Sequence, residues 1–209
     1  MSTASPVAVR MVAAMGLRSD CDDARALVVV EGVSDQIAIE TLAERQGIDL
    51  AGARIRVVPL GGAHRIGRFL EELGPRSDGL RLAGLCDAGE APVFRRALER
   101  TGLGSDLSRE EMEQLGFYVC VADLEDELIR ALGVAAVEEI VRANGDLQRF
   151  RKLQQMPEWR GRATDEQLQR FIGVGARRKA RYARFLVDAL DLECVPQPLD
   201  GVLGHAVAP

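Results

Sequence analysis

Four short apolar runs alternating with helical stretches constrain this chain more than any other feature. They occupy residues 26–31, 55–60, 80–86 and 117–122, and β-branched residues crowd the first, second and fourth. Between them the apolar residues recur at helical spacing. Residues 34–45 carry Ile37, Ile39, Leu42 and Ala43, with Ser34 placed as N-cap; residues 65–73 carry Ile66, Phe69, Leu70 and Leu73; residues 92–100 carry Val93, Phe94, Ala97 and Leu98. A β-α-β-α-β-α-β order predicts an α/β fold, a mainly parallel four-stranded sheet flanked by helices in the Rossmann-like manner. Right-handed crossovers then set every strand's C-terminal end along one edge, where such folds bind ligands.

Beyond the fourth run the pattern is wholly helical. Helices are predicted over residues 124–143, 147–155, 164–172 and 176–190, the last basic on one side and aliphatic on the other. Residues 156–161 read as an irregular connection, and the tail from Val195, with Pro196 and Pro198, as a cap on the body. The chain thus divides into an N-terminal segment (1–25), an α/β core (26–140) and a basic helical extension that completes the domain (141–209).

Composition narrows the class. The 209 residues are 47% hydrophobic and 28% charged, as in globular proteins, but only 4% aromatic, so the core has to be aliphatic. No apolar run approaches the ~20 residues that span a bilayer. Residues 1–16 include Arg10 and lack an unbroken apolar centre, which argues against a secretory leader and for a cytoplasmic location. Cys21, Cys86, Cys120 and Cys194 form no CxxC pair, which excludes the usual structural zinc and thioredoxin patterns. Cys86 and Cys120 sit in apolar runs and read as buried free thiols.

Charge is unevenly spread. The net charge is −5, yet residues 142–184 hold twelve basic and four acidic side chains. A basic stretch on an acidic body can bind a polyanion, since the local field decides; solvated helix faces are the plain alternative.

Carboxylates close three of the four strands. Glu31 ends the first and is followed by Gly32, Val33, Ser34 and Asp35. Asp87 ends the third, with Gly89 and Glu90 just beyond. The fourth runs into Asp123, Leu124, Glu125, Asp126 and Glu127. In a parallel sheet these ends are neighbours, and so many unpaired negative charges in one small volume would repel strongly. Bound divalent cations relieve this, and carboxylate oxygens are the donors that Mg²⁺ and Mn²⁺ prefer. Gly32 is expected to let the chain turn sharply, so that Asp35 swings back toward Glu31. Singly, each acid has an ordinary explanation: Asp123 could cap the helix from Leu124, and residues 125–127 could complement its positive end. Their coincidence at three strand ends favours a metal site.

The run Val30-Glu31-Gly32-Val33-Ser34-Asp35, the later Asp87 and the pair Asp123 and Glu125 together resemble the TOPRIM domain. The version they are most similar to is that of the OLD-family (overcoming lysogenization defect) nucleases, in which the domain follows an ABC-type ATPase and cuts DNA with two metal ions. The resemblance spans roughly residues 26–190. It implies that Glu31 and Asp35 serve one metal and that Asp87, the first aspartate of a DxD motif, serves the other. Asp123 and Glu125 fall where the family has a short Ser/Asp-Leu-Glu motif. Lys179 resembles a late lysine that steadies charge on the scissile phosphate, and with its neighbours Arg177, Arg178 and Arg181 it is expected to bind the nucleic acid and balance developing negative charge.

Two departures stand out. Gly89 replaces the second aspartate of DxD, leaving Glu90 as the candidate substitute. No GxxxxGK[ST] occurs: the Gly61-Gly62-Ala63-His64 turn lacks the lysine of a P-loop. An ATPase would have to come from a separate partner, and a homo-oligomer is the other assembly considered.

TOPRIM domains also serve topoisomerases and primases, so fold alone does not choose the reaction. A topoisomerase needs a tyrosine nucleophile, and Tyr118 and Tyr182 read as strand and helix residues away from the acids. Hydrolysis needs only metals, water and a phosphodiester. The leading expectation is a Mg²⁺- or Mn²⁺-dependent endonuclease or nickase acting on DNA. The alternative is a degenerate TOPRIM module that binds metal or nucleic acid without cutting, or serves an ATPase partner. A Rossmann-like small-molecule binder ranks third, since no GxGxxG follows the first strand. Trp159 reads as either a base-stacking ring or a packing plug.

Overall fold

The computed structural model describes residues 23–74 and 79–208. The N-terminal segment, apart from its last three residues, and Cys21 lie outside the described residues. Four parallel strands, β1 (Ala26–Val30), β2 (Ile55–Pro59), β3 (Arg81–Cys86) and β4 (Phe117–Val119), form one sheet in the order β2-β1-β3-β4. The centre of the sheet is β1, whose Ala-Leu-Val-Val-Val run is wholly inaccessible to solvent. A strand buried on both faces requires an unbroken apolar run, and that is what the sequence supplies there.

Ten α-helices complete the described chain: α1 (Val33–Arg45), α2 (Ile66–Leu73), α3 (Ala91–Arg100), α4 (Arg109–Gln114), α5 (Leu124–Leu132), α6 (Val134–Ala143), α7 (Leu147–Gln155), α8 (Thr164–Gly173), α9 (Ala176–Ala189) and α10 (Gln197–Val207). Strand alternation sorts the core into two faces. Val28, Val30, Ala83 and Leu85 pack with residues of α1, α5, α9 and α10. Val29, Cys86, Phe117 and Val119 pack with Ile66, Leu70, Phe94, Leu98 and Met112 from α2, α3 and α4. The helices from α5 onward fill the first face, and α9 lies along α1. This brings the basic end of α9 back to the edge where β1 ends.

Several local expectations change. The helix predicted over residues 124–143 is two helices, because Gly133 takes φ +77°, outside the right-handed helical region. Ser34 is not the N-cap of α1; Gly32 occupies that position, and the Asp35 carboxylate accepts the Gly32 N–H at 2.8 Å. Gly32 itself is extended, at φ −145°, so the chain turns into α1 without a left-handed residue. The tail caps the body as a helix: α10 starts with Pro198 in its first turn and buries Leu199, Val202, Leu203 and Ala206 against β1, β3 and β4. Gly201 makes that approach close. A Cβ there would stand 2.7 Å from Cζ of the Tyr118 ring. Helix α4 was not anticipated, although Ser108 and Glu111 form a capping box at its start. Cys86 and Cys120 are buried free thiols.

Candidate metal and phosphate site at the strand ends

The three acidic strand ends meet. With β1 between β2 and β3, and β4 beyond β3, the residues after Val30, Cys86 and Val119 emerge side by side. Glu31 Oε1 accepts the backbone N–H of Asp87 at 2.9 Å, which joins the first and third ends directly. The Glu31 carbonyl meanwhile accepts the N–H groups of Gly61 and Gly62 at 2.9 and 3.0 Å, fixing the loop that precedes His64.

Helix starts bring in the remaining acids. Asp35 lies in the first turn of α1, is only 7% exposed, and is held by the Gly32 N–H and by Ser34 Oγ at 3.4 Å. Asp123 caps α5: its Oδ1 accepts the Asp126 N–H at 2.8 Å, and its Oδ2 accepts Nε2 of Gln169 from α8 at 2.8 Å. The ordinary capping role therefore holds for Asp123, while its charge still reaches Asp35 and Asp87. Glu125 is 3% exposed and paired with Lys179, whose Nζ stands 3.2 Å from Oε2. Glu90 ends up N-terminal to α3, close enough for its charge to act on Glu31. Glu127 faces away from this group, accepting the Val121 N–H at 2.6 Å and pairing with Arg130.

Burial and mutual repulsion leave Glu31, Asp35, Asp87 and Glu125 reluctant to ionise. Desolvation, then the charge of Glu31, lifts Asp87 to about 7. Desolvation also lifts Glu125 to about 7 against the pull of Lys179, and raises Glu31 and Asp35 above the usual carboxylate range. Lys179 responds oppositely. Burial alone would lower it, but Glu125, Asp35 and Asp87 outweigh that and hold the ammonium firmly charged. A crowd of strained carboxylates around one cation is a site that gains when more positive charge enters.

Among the described residues no three His, Cys, Asp or Glu side chains stand ready-made as a metal cage. The donor set nonetheless fits a hard divalent ion. It is all oxygen and over-rich in negative charge, and Mg²⁺ commonly takes one or two carboxylates and keeps several waters. At position 89 a Cβ would meet nothing within 4 Å, so the glycine leaves open space where a second aspartate of DxD would stand.

The basic positions separate. Lys179 belongs to the acidic group. Arg178 stacks on Phe171, with Cζ 4.4 Å from the ring centroid, and donates to the Phe171 carbonyl at 3.0 Å. Arg181 pairs with the buried Asp146, which also accepts the Tyr182 hydroxyl at 3.0 Å. Arg177 is exposed at the start of α9. Sequence reasoning missed Gln169, whose role shows only once α8 is seen to pack against α5.

Comparison with known proteins agrees with this geometry. Residues 24–87 match the model of the overcoming lysogenization defect protein-like TOPRIM domain. The fold is similar to that of the C-terminal region of the OLD protein of Xanthomonas campestris pv. campestris, at TM-score 0.70 and 22% identity, covering 90% of this chain and 94% of that one. It is similar also to the C-terminal region of the Burkholderia pseudomallei OLD protein, at TM-score 0.61 and 22% identity, covering 88% of this chain and 99% of that one. A comparison with curated protein sequences gave no match. Residues 24–87 thus carry a match to the OLD-like TOPRIM domain, and the whole described chain has a fold similar to the C-terminal regions of OLD proteins.

Proposed function

We propose that this protein is a metal-dependent nuclease that hydrolyses DNA phosphodiesters, working as an endonuclease or nickase with Mg²⁺ or Mn²⁺. The observation that carries the reading is the meeting of Glu31, Asp87 and Lys179 at one sheet edge, carboxylates and a cation together where a phosphodiester could bridge them. Glu31, Asp35 and Asp87 would hold the ions, with Glu90, Asp123 and Glu125 as the further candidate donors. A divalent ion held by these carboxylates would lower the pKa of a bound water and offset charge on the leaving oxygen. Lys179 keeps a permanent positive charge beside the carboxylates and stabilises the negative charge that gathers on the phosphate. Glu125 positions that ammonium, and Asp123, fixed at both oxygens, holds the start of α5 in place. Arg177 offers a nearby phosphate contact.

The test is plasmid nicking with purified protein and Mn²⁺ or Mg²⁺. Open-circle product that vanishes in Asp87→Ala and Glu31→Ala supports the reading. Nicking at wild-type rate by Asp87→Ala excludes this site.

A second reading is favoured by one observation, the open position at Gly89. On it the chain is a TOPRIM module that binds metal or nucleic acid without cutting, or that serves a separate ATPase. No helix among the described residues is long and apolar enough to cross a membrane, and a cytoplasmic setting with DNA as partner suits either reading.

A further inference from the structure

Next to the acidic edge, the connection between α7 and α8 and the exposed side of α8 enclose a groove of about 480 Å³. Its lining includes Asp123, Trp159, Arg162, Glu166, Gln169 and Arg170. Trp159 is half-buried, and two exposed guanidinium groups lie on its ring, Arg162 at 5.0 Å and Arg170 at 5.8 Å from the centroid. Arg162 is loosely opposed by Glu166 at 3.6 Å, and among the described residues no carboxylate stands against Arg170.

The backbone of the loop that carries Trp159 is held by its neighbours. Gln167 is 5% exposed; its Nε2 donates to the Trp159 carbonyl at 2.8 Å, and its Oε1 accepts Gln154 Nε2 at 2.7 Å. Two residues along α8, Gln169 grips Asp123. One helix thus fixes the tryptophan loop through Gln167, ties the groove to the acidic edge through Gln169, and presents a cation through Arg170. Arginines also lie on the buried rings of Phe150, Phe171 and Tyr182; Trp159 differs in being partly exposed and in lining a groove, which is what a stacking platform requires.

We propose that this groove binds single-stranded DNA, with one base stacked on Trp159 as Arg162 and Arg170 swing from the ring onto the adjoining phosphates, so that the strand runs past Asp123 to the acidic edge. A duplex base has both faces covered by its neighbours, and only an unpaired base can lie on the ring. The consequence for cleavage, a preference for DNA with a single-stranded stretch at the cut, rests on the nuclease reading; the binding itself does not.

Trp159 is the sole tryptophan, so its emission reports on this groove alone. The full chain in EDTA is titrated with an unlabelled oligo-dT strand, a blunt duplex of equal length, and dTMP. Saturable quenching by the strand is expected, with the duplex weaker at equal concentration and dTMP without effect. In anisotropy measurements with a labelled strand, Trp159→Ala and the double variant Arg162→Gln/Arg170→Gln should each bind about tenfold or more weakly. Trp159→Phe should stay within about threefold, because the ring persists; should Trp159→Ala fail to fold, this variant and the arginine variant decide between the outcomes. The double variant should also lose about two from the salt dependence of binding, one per phosphate contact.

Absence of strand binding overturns the proposal. So does binding without quenching, or variants that bind as wild type. Quenching without Mn²⁺-dependent nicking leaves the groove standing and removes the nuclease. Nicking with the KM for strand-containing DNA unchanged in the arginine variant removes the groove and leaves the nuclease.

Discussion

The backbone N–H of Asp87 points at Glu31 Oε1 across 2.9 Å, so the end of β3 is fastened to the end of β1 by the same carboxylate that is a candidate metal ligand. Folding and ion binding consequently compete for Glu31 and its neighbours. Asp87→Asn removes one member of a group of mutually repelling acids. We expect the metal-free variant to melt higher than wild type, by about 2–4 °C for ~1 kcal/mol in a domain this size. Added Mn²⁺ should raise the wild-type melting temperature and barely move that of the variant. A variant that melts lower without metal and keeps the full Mn²⁺ shift would contradict this account.

Asp87 and Glu125 titrate near 7, well above their unfolded values. Groups raised in this direction favour the fold while protonated. Their contribution is complete below the unfolded carboxylate range and is lost as pH rises through about 7. Lys179, raised in the folded state, titrates above this window and is silent in it. Metal-free protein should therefore lose thermal stability from pH 5 to pH 8, while Mn²⁺ affinity climbs over the same interval. Calorimetric titration in buffers of different ionisation enthalpy will show protons released on Mn²⁺ binding, more at pH 6 than at pH 8.

Lys179→Met strands Glu125, which is almost wholly buried. Breaking a buried pair costs about 3 kcal/mol when the remaining charge cannot escape. Here the carboxyl can take a proton, so the loss should be large at pH 8 and much smaller at pH 5.5. Urea unfolding at the two pH values measures the difference; equal destabilisation at both would mean that the pair contributes through packing alone.

Gly89 has open space around it and needs no left-handed backbone. Gly89→Asp should fold normally and place a further carboxylate beside Asp87. We expect about tenfold tighter Mn²⁺ binding, following the rule that ligand charge sets affinity. If wild type nicks plasmid, the variant should reach half-maximal rate at lower Mn²⁺. Unchanged metal affinity would put position 89 outside the ion's reach.

Gly201→Ala forces a methyl group into the Tyr118 ring, whose Cζ and Cδ1 lie 2.7 and 2.8 Å from the new carbon. Overpacking of this kind costs about 1–3 kcal/mol. Chemical denaturation of the variant, and of Tyr118→Leu/Gly201→Ala as the relieving pair, checks whether α10 is held this closely.

The sheet and its acidic edge could be read from residues alone because both depend on local pattern. An all-apolar run such as Ala26 to Val30 has no other stable place than a central parallel strand, and an acid after such a run lands at the edge by topology. Contacts that depend on distant pairing could not be read this way. Nothing around Gln169 signals that it grips Asp123, and nothing in the run of basic residues on α9 says that Arg178 and Arg181 turn to Phe171 and Asp146 while Lys179 turns to the acids. Ser34 looked like the cap by residue type, yet Gly32 is the N-cap and Asp35, in the first turn, accepts its N–H. Gly133 was legible in principle: a lone glycine within a helical pattern can break it, and here its positive φ does. The tail was expected to cap the body but not assigned a conformation; it does so as a helix, and proline is well suited to a helix's first turn.

The position of α10 has a consequence for how the chain is made. Its residues 197–207 form part of the floor beneath β1, β3 and β4, strands translated much earlier. Until they emerge from the ribosome, the part of that face that α10 covers is left open, although α1, α5 and α9 already pack on the rest. At elongation rates of about 5–20 residues per second, the interval between β4 and α10 lasts several seconds, the period when a nascent chain of this design depends most on a chaperone.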